Sequence, residues 1–313
     1  AEQFNFVKGG AVVSRFNSAG IPGVSISRAS SGTAIVDGVI TEFGNDTARI
    51  GDDGLLVEGA ATNKAYAGSV EPSQLLTPTS EAAFETAFPD LDAFDAGSGA
   101  LFGVVDRSAD VVGTEIASLL PNGRVYVIDN TGGSSDSLIN FSGVTGNTNQ
   151  HVCSAWFWSD TATGTTEIGL GLNPSSAKDL TSNVSAVPQR FAYTETPADA
   201  NRKLQVNVAA GHRAYFVLPQ LEEASTASSY IPTEGSSVTR AADSVTLTDL
   251  DALGLTSAVL AAGYTVVVEA DHSGRTNFPA VWSLNDGTSS EELYLTSSLN
   301  GGDTAYVYGR GSG

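Results

Sequence analysis

"KLQVNVAAGHRAYFVLPQLE", residues 203–222, holds two short apolar runs on either side of a glycine. Each run is rich in Val, Leu, Phe or Tyr and is bounded by turn formers, so both read as β-strands. The same signal recurs at even spacing upstream. "GALFGVV" (99–105), "GRVYVID" (123–129), "SLINFSGV" (137–144), "HVCSAWFWS" (151–159), "TEIGLGL" (166–172) and "QRFAYTET" (189–196) are each short and bounded by Gly, Asn, Asp or Pro. With no helical pattern between them, the region reads as an antiparallel β-sandwich, and the fold class as all-β.

Before it, residues 1–78 alternate briefly between apolar and polar. "VSISRASSG" (24–32) and "TAIVDGVITEFG" (33–44) read as short strands, with turns at Asp37-Gly38 and Gly44-Asn45. Asp53-Gly54 is a further turn signal, and Leu55 and Val57 share one strand face. The segment has too few large apolar residues for a core of its own, so it is expected to wrap onto another part of the chain. Pro72–Pro78 reads as a linker. "TSEAAFETAF" (79–88) is the best helix candidate, capped by Thr79 or Ser80 and stopped by Pro89. "LTDLDALGL" (247–255) reads as one helical turn ending at Gly254. "GYTVVVEADHS" (263–273), "PAVWSLNDG" (279–287), "EELYLTSS" (291–298) and "TAYVYGR" (304–310) add four strands, few for a complete sandwich. The expected division is therefore an N-terminal anchoring segment (1–78), a β-sandwich (79–245) and the start of a second sandwich (246–313), which either borrows strands from its neighbours or, as the favoured expectation, is completed beyond residue 313.

Composition narrows the function classes. A net charge of −20 repels phosphate backbones and anionic lipid, and the cations are scattered singly, so nucleic-acid binding is not expected. No apolar run approaches the roughly 20 residues of a membrane span, so membrane insertion is not expected either. A single cysteine, Cys153, precludes an intramolecular disulfide and fits folding in a reducing cytoplasm.

Two segments are too specific to be generic loop. In "SSYIPTEGSSVTRAAD" (228–243), Tyr230 and Ile231 are apolar anchors, Pro232 ends strand pairing and Gly235 permits a sharp turn. Arg240 and Asp243 then tie the next strand to a neighbour. The run reads as a strap leading the chain out of one sandwich and into the next. In "GLLVEGAATN" (54–63), Gly54 starts a turn, Glu58 reads as a turn or cap residue, and Asn63 as a bond to backbone.

"GLLVEGAATN" (54–63), "QLEEASTASSYIPTEGSSVTRAAD" (220–243) and "SRASSGTAIVDGVI" (27–40) resemble recurrent segments of bacteriophage virion proteins: head fibres, tail fibres and spikes. That resemblance implies concanavalin-like or carbohydrate-binding-module-like (jelly-roll) sandwiches, and "GYTVVVEADHSGRTNFPAVWSLNDGTSSEELYL" (263–295) resembles the opening of a second such domain. It implies assembly as a trimer with other virion proteins, a place on the virion surface after synthesis in the host cytoplasm, and adhesion to host surface polysaccharide. A purely structural decoration or tail component is the alternative.

Candidate chemistry divides the same way. Retaining glucanases of concanavalin-like type resemble one another in a Glu-x-Asp-x-x-Glu strand. Here Glu269 and Asp271 fit, but Gly274 stands where the second carboxylate belongs, and nothing pairs Glu291 or Glu292 with them. His151, His212 and His272 are scattered, which argues against a catalytic base or zinc site. No enzyme activity is expected, and no cofactor. Asp46, Asp52, Asp53, Asn285 and Asp286 leave a structural calcium open without matching a calcium loop. Sugars offer C–H faces to aromatic rings, so Trp156 and Trp158, on one face of a strand, form a stacking platform if exposed and core if not. Tyr193, Tyr215 and Trp282, then Tyr306 and Tyr308, follow on the same logic.

Overall fold

A computed structural model of the chain describes residues 5–8, 11–15, 24–52, 54–66, 74–76, 86, 91–92, 99–106, 124–159, 166–171, 178–179, 184–233, 235–247, 280–285, 292–297 and 305–310. The chain divides into two compact units, Ala1–Leu255 and Thr256–Gly313.

In the first unit, β1 (Asn5–Lys8) pairs with β2 (Ala11–Arg15). β3 (Val24–Ser27) precedes a hairpin of β4 (Gly32–Val36) and β5 (Val39–Phe43). Its turn residues Asp37 and Gly38 have φ of 53° and 72°, the left-handed pair that matches strand twist in a two-residue hairpin. The Asp52 carboxylate accepts both turn N–H groups, at 2.6 and 2.9 Å. β6 (Arg49–Gly51) pairs with β7 (Gly54–Leu56), and β8 (Ala61–Asn63) follows.

Eleven strands then build two antiparallel sheets: β9 (Gln74–Leu76), β10 (Leu91–Asp92), β11 (Leu101–Asp106), β12 (Arg124–Asp129), β13 (Ser137–Phe141), β14 (His151–Trp158), β15 (Thr166–Gly171), β16 (Lys178–Asp179), β17 (Gln189–Glu195), β18 (Lys203–Val208) and β19 (Arg213–Glu222). One sheet has the order β10-β13-β18-β15-β16, the other β17-β14-β19-β12-β11-β9. Every strand read from the sequence between 99 and 222 is present. The Pro72–Pro78 linker needs correction, because Gln74–Leu76 pairs with β11 as an edge strand. Of the expected helix 79–88 only Thr86 is described, as helical, and 248–255 lies outside the described residues.

Side chains from both sheets form one core. Phe102, Ile128, Cys153, Phe157, Phe216 and Leu221 of the six-stranded sheet meet Leu91, Ile139, Phe141, Ile168, Leu204 and Val206 of the five-stranded one. The other face of the six-stranded sheet is covered too. There Val125, Val127, Trp156, Trp158, Tyr215 and Val217 pack with Ile40 of β5 and with Tyr230. Burial on both faces explains why β14 reads as one apolar run, since all eight of its residues are buried.

After β19 the chain returns to its beginning. β20 (Val238–Arg240) pairs with β8, and β21 (Ser244–Leu247) pairs with β3. The strap therefore closes on the N-terminal segment. In the second unit, β22 (Ala280–Asn285), β23 (Glu292–Ser297) and β24 (Ala305–Arg310) form an antiparallel meander, where three of the four expected strands lie. The fourth, at 263–273, is outside the described residues.

Candidate functional site: a buried arginine clasp

The site begins with a break in β19. Leu218 has φ 55°, left-handed for a branched residue, and the register with β14 shifts between Ser154 and Trp156. Before the break, Ala214 and Phe216 face the shared core; after it, Leu221 does. The extra residue reverses the alternation, so Gln220 and Glu222 turn to the outer face, where the strap passes.

Both receive it. The Ile231 N–H donates to Gln220 Oε1 at 2.7 Å, and the Ser228 N–H and hydroxyl donate to the Glu222 carboxylate at 2.9 and 2.5 Å. Asn63, fully buried, fills the break itself. Its Nδ2 donates to the Pro219 and Ile231 carbonyls at 3.1 and 2.9 Å, and its Oδ1 accepts from the Leu221 and Ala65 N–H groups, both at 3.0 Å. All four hydrogen-bonding positions of the amide are used.

Beside it lies a cluster of three arginines and two carboxylates. Arg28, Arg49 and Arg240 have side-chain exposures of 0, 0 and 1 %, Glu58 13 % and Asp243 3 %. Arg49 bridges both acids, donating to Glu58 at 2.7 Å and also to Asp243. Arg240 pairs with Glu58, and Arg28 reaches Asp243 at 2.8 Å. Ser229 completes the set, its N–H and hydroxyl donating to Glu58 at 2.9 and 2.7 Å. The excess positive charge is spread over carbonyl oxygens: Arg28 binds those of Ser30, Phe43, Gly44 and Thr47, Arg49 that of Thr33, and Arg240 that of Gly59. Gly32 floors the cluster. A Cβ there would stand 3.1, 3.2 and 3.3 Å from Arg49, Arg240 and Arg28, so a side chain would crowd all three.

Electrostatics make the cluster static. Burial opposes ionisation of Glu58, but Arg240, Ser229 and Arg49 outweigh it and hold the carboxyl at about 2. Burial likewise opposes ionisation of Asp243, and hydrogen bonds from Arg49 and Arg28 overcome it, leaving the group below the usual carboxylate range. Carboxylates held ionised this way cannot exchange protons near neutral pH, so the clasp is suited to holding rather than to acid–base chemistry.

The sequence-derived motif residues meet here. Glu58, Asn63, Tyr230, Arg240 and Asp243 all belong to the clasp or its rim. Glu58 is an ion-pair partner rather than a turn or cap, and Asn63 bonds four backbone groups rather than one turn. Gly54 lies on β7, Pro232 is half-buried, and Gly235 takes φ 59° at the turn. Arg28, Arg49, Gln220, Glu222 and Ser229 were not singled out. For Arg28, Arg49 and Glu222 the one signal is a charged residue set among small and apolar ones in a chain with few charged side chains; Gln220 and Ser229 carry no such signal.

The expected sugar-stacking residues are dispersed. Trp156, Trp158 and Tyr215 are 3, 2 and 3 % exposed. Trp158 stacks on Tyr215 at 5.6 Å, and the Arg190 guanidinium lies 4.8 Å above the Trp156 ring. Their faces are occupied by protein, which removes the platform reading for these three. Tyr193 is half-buried on β17. Trp282 lies on β22, and Tyr306 and Tyr308 on β24. Glu269, Asp271, His272, Asp53 and Glu291 are outside the described residues. Asp46 accepts the Arg28 N–H at 2.9 Å, and no group of three metal-binding side chains occurs among the described residues.

Neither a protein-family profile nor a curated protein matches the chain. Among solved structures, the chain is similar to the enzymatically active domain of tailspike protein 4 of bacteriophage CBA120. That similarity covers 38 % of this chain and 17 % of the other, at 13 % identity and a TM-score of 0.28. A likeness of this size carries no argument about fold or activity.

Proposed function

We propose that the chain is a surface protein of a bacteriophage particle, a head fibre, spike or tail fibre, that adheres to host polysaccharide. The observation that carries this reading is the clasp. The three segments that resemble phage fibre motifs, at 27–40, 54–63 and 220–243, supply Arg28, Glu58, Asn63, Gln220, Ser229, Arg240 and Asp243 to one bonded cluster. The resemblance thus falls on residues that the fold uses together.

On this reading the two facing sheets are a concanavalin-like sandwich, and the clasp locks its exit to the N-terminal segment, which contacts other virion proteins. The protein assembles as a trimer, acts without cofactor and catalyses no reaction. Many copies per particle let weak individual sites hold a cell.

Burial of Trp156, Trp158 and Tyr215 favours a second reading, a decoration or tail component with no ligand. Binding of the purified protein to bacterial cells, before and after enzymatic removal of their surface polysaccharide, separates the two. Binding that disappears with the polysaccharide supports the adhesin. Absence of binding to either sample overturns it in favour of the structural role.

A further inference from the structure

The chain enters and leaves residues 24–247 at one place. β3 and β21 run antiparallel, with Val24 opposite Leu247 at one end and Ser27 opposite Ser244 at the other. Ser25, Ser27, Ser244, Val245 and Thr246 are exposed and Ile26 is half-buried, so little packing supports this ribbon. Two strands alone are marginally stable in water. Tension on the chain before Val24 and after Leu247 bears on the Val24–Leu247 pair first, then on each following pair in turn.

The clasp stands where that opening arrives. Arg28 directly follows Ser27, and Asp243 directly precedes Ser244. The two are ion-paired at 2.8 Å, and each is also fixed to other segments. The Arg28 N–H donates to Asp46 at 2.9 Å, and its guanidinium to the Phe43, Gly44 and Thr47 carbonyls at 3.1, 2.6 and 3.2 Å. Asp243 accepts from Arg49 and from the Glu58 N–H at 2.8 Å, and donates its own N–H to the Glu58 carbonyl at 2.9 Å. The ribbon's bonds meet the load singly, whereas these buried bonds share it. We infer that the clasp is a tension stop: a pull on the chain at either side opens the ribbon and halts at Arg28 and Asp243, leaving residues 28–243 folded. The inference goes beyond the adhesive reading and holds whatever the protein binds.

Single-molecule pulling tests it on the full chain, with handles on Gly23→Cys and Thr248→Cys, just outside the ribbon. Cys153 is buried and takes no handle. The expected trace is a release of about 25 Å as the four pairs open, a hold, and then release of roughly 700 Å as the 215 positions from Arg28 to Asp243 extend. At constant force Asp243→Asn shortens the hold roughly tenfold or more, because the bonds it loses are those this load separates. Handles on Ser134→Cys and Ala198→Cys, at exposed loop positions, pull across the sandwich without loading the clasp. Along that axis Asp243→Asn unfolds within about twofold of the wild-type rate. If Asp243→Asn does not fold, Arg28→Lys, which keeps the charge but loses the fork of donors, is read in its place. If neither folds, the wild-type trace decides by the presence or absence of the hold. Continuous release after the ribbon, or a hold that the variant leaves unchanged, overturns the stop. Equal shortening along both axes overturns it as well, since the clasp would then stabilise the fold without bearing the load.

Discussion

The Asn63 amide donates to the Pro219 carbonyl at 3.1 Å, across 156 positions of sequence, and so fills the break that Leu218 opens in β19. That contact joins the first motif segment to the strand that turns Gln220 and Glu222 toward the strap. Left-handed backbone at a non-glycine residue costs about 1–3 kcal/mol and persists only where its surroundings hold it. Asn63 supplies that hold.

Asn63→Ala leaves two buried carbonyls and two buried N–H groups without their partner. The expected loss is about 3 kcal/mol or more, read as a lower denaturant midpoint at unchanged slope. A loss under about 1 kcal/mol would contradict the role given to this side chain.

Glu58 and Arg240 are expected to be strongly coupled. Glu58→Gln or Arg240→Met alone leaves an uncompensated buried charge and costs about 3–5 kcal/mol. The double variant restores the balance between those two positions and costs clearly less than the sum. A double-mutant cycle by chemical denaturation measures the coupling, and additive losses would refute it.

Acid should loosen the clasp. Glu58 titrates at about 2 in the folded chain against an ordinary 4.5, so its contribution is complete above about 4.5 and is lost as pH falls toward 2. The amount is about 3 kcal/mol. Unfolding curves between pH 6 and pH 2 should show this dependence, and Glu58→Gln should flatten it.

Gly143 has φ 94°, and a Cβ there would stand 1.7 Å from the Lys64 carbonyl oxygen. Gly143→Ala therefore forces the 64–66 segment away from the residue that follows β13, Ser142, whose carbonyl accepts the Tyr66 N–H at 3.1 Å. Soluble expression should drop sharply, and any recovered protein should melt well below wild type. Wild-type melting would show that the two segments are not apposed.

Trp156→Ala and Trp158→Ala remove buried rings, so each should cost about 3–5 kcal/mol of stability. Thermal unfolding tests this. Wild-type stability joined to lost cell binding would instead place the rings at the surface.

The strands, the hairpin turn at Asp37-Gly38 and the all-β class were legible because each is written locally. Apolar alternation, β-branched and aromatic residues and Gly or Asp punctuation act over a few neighbours. So was the importance of the two odd segments, since Asn63, Glu58 and Arg240 drew notice as residues too specific for a loop. What they contact was not legible. Arg28 and Asp243 are 215 positions apart, and only chain return through β20 and β21 brings them together. Trp156 and Trp158 show the same limit. Period two put both on one face, but whether that face meets solvent depended on Ile40 and Tyr230, from opposite ends of the unit, arriving to cover it. Sequence by itself determined the elements and their turns. Tertiary structure alone decided burial and ion pairing, because both depend on which distant segments share a face.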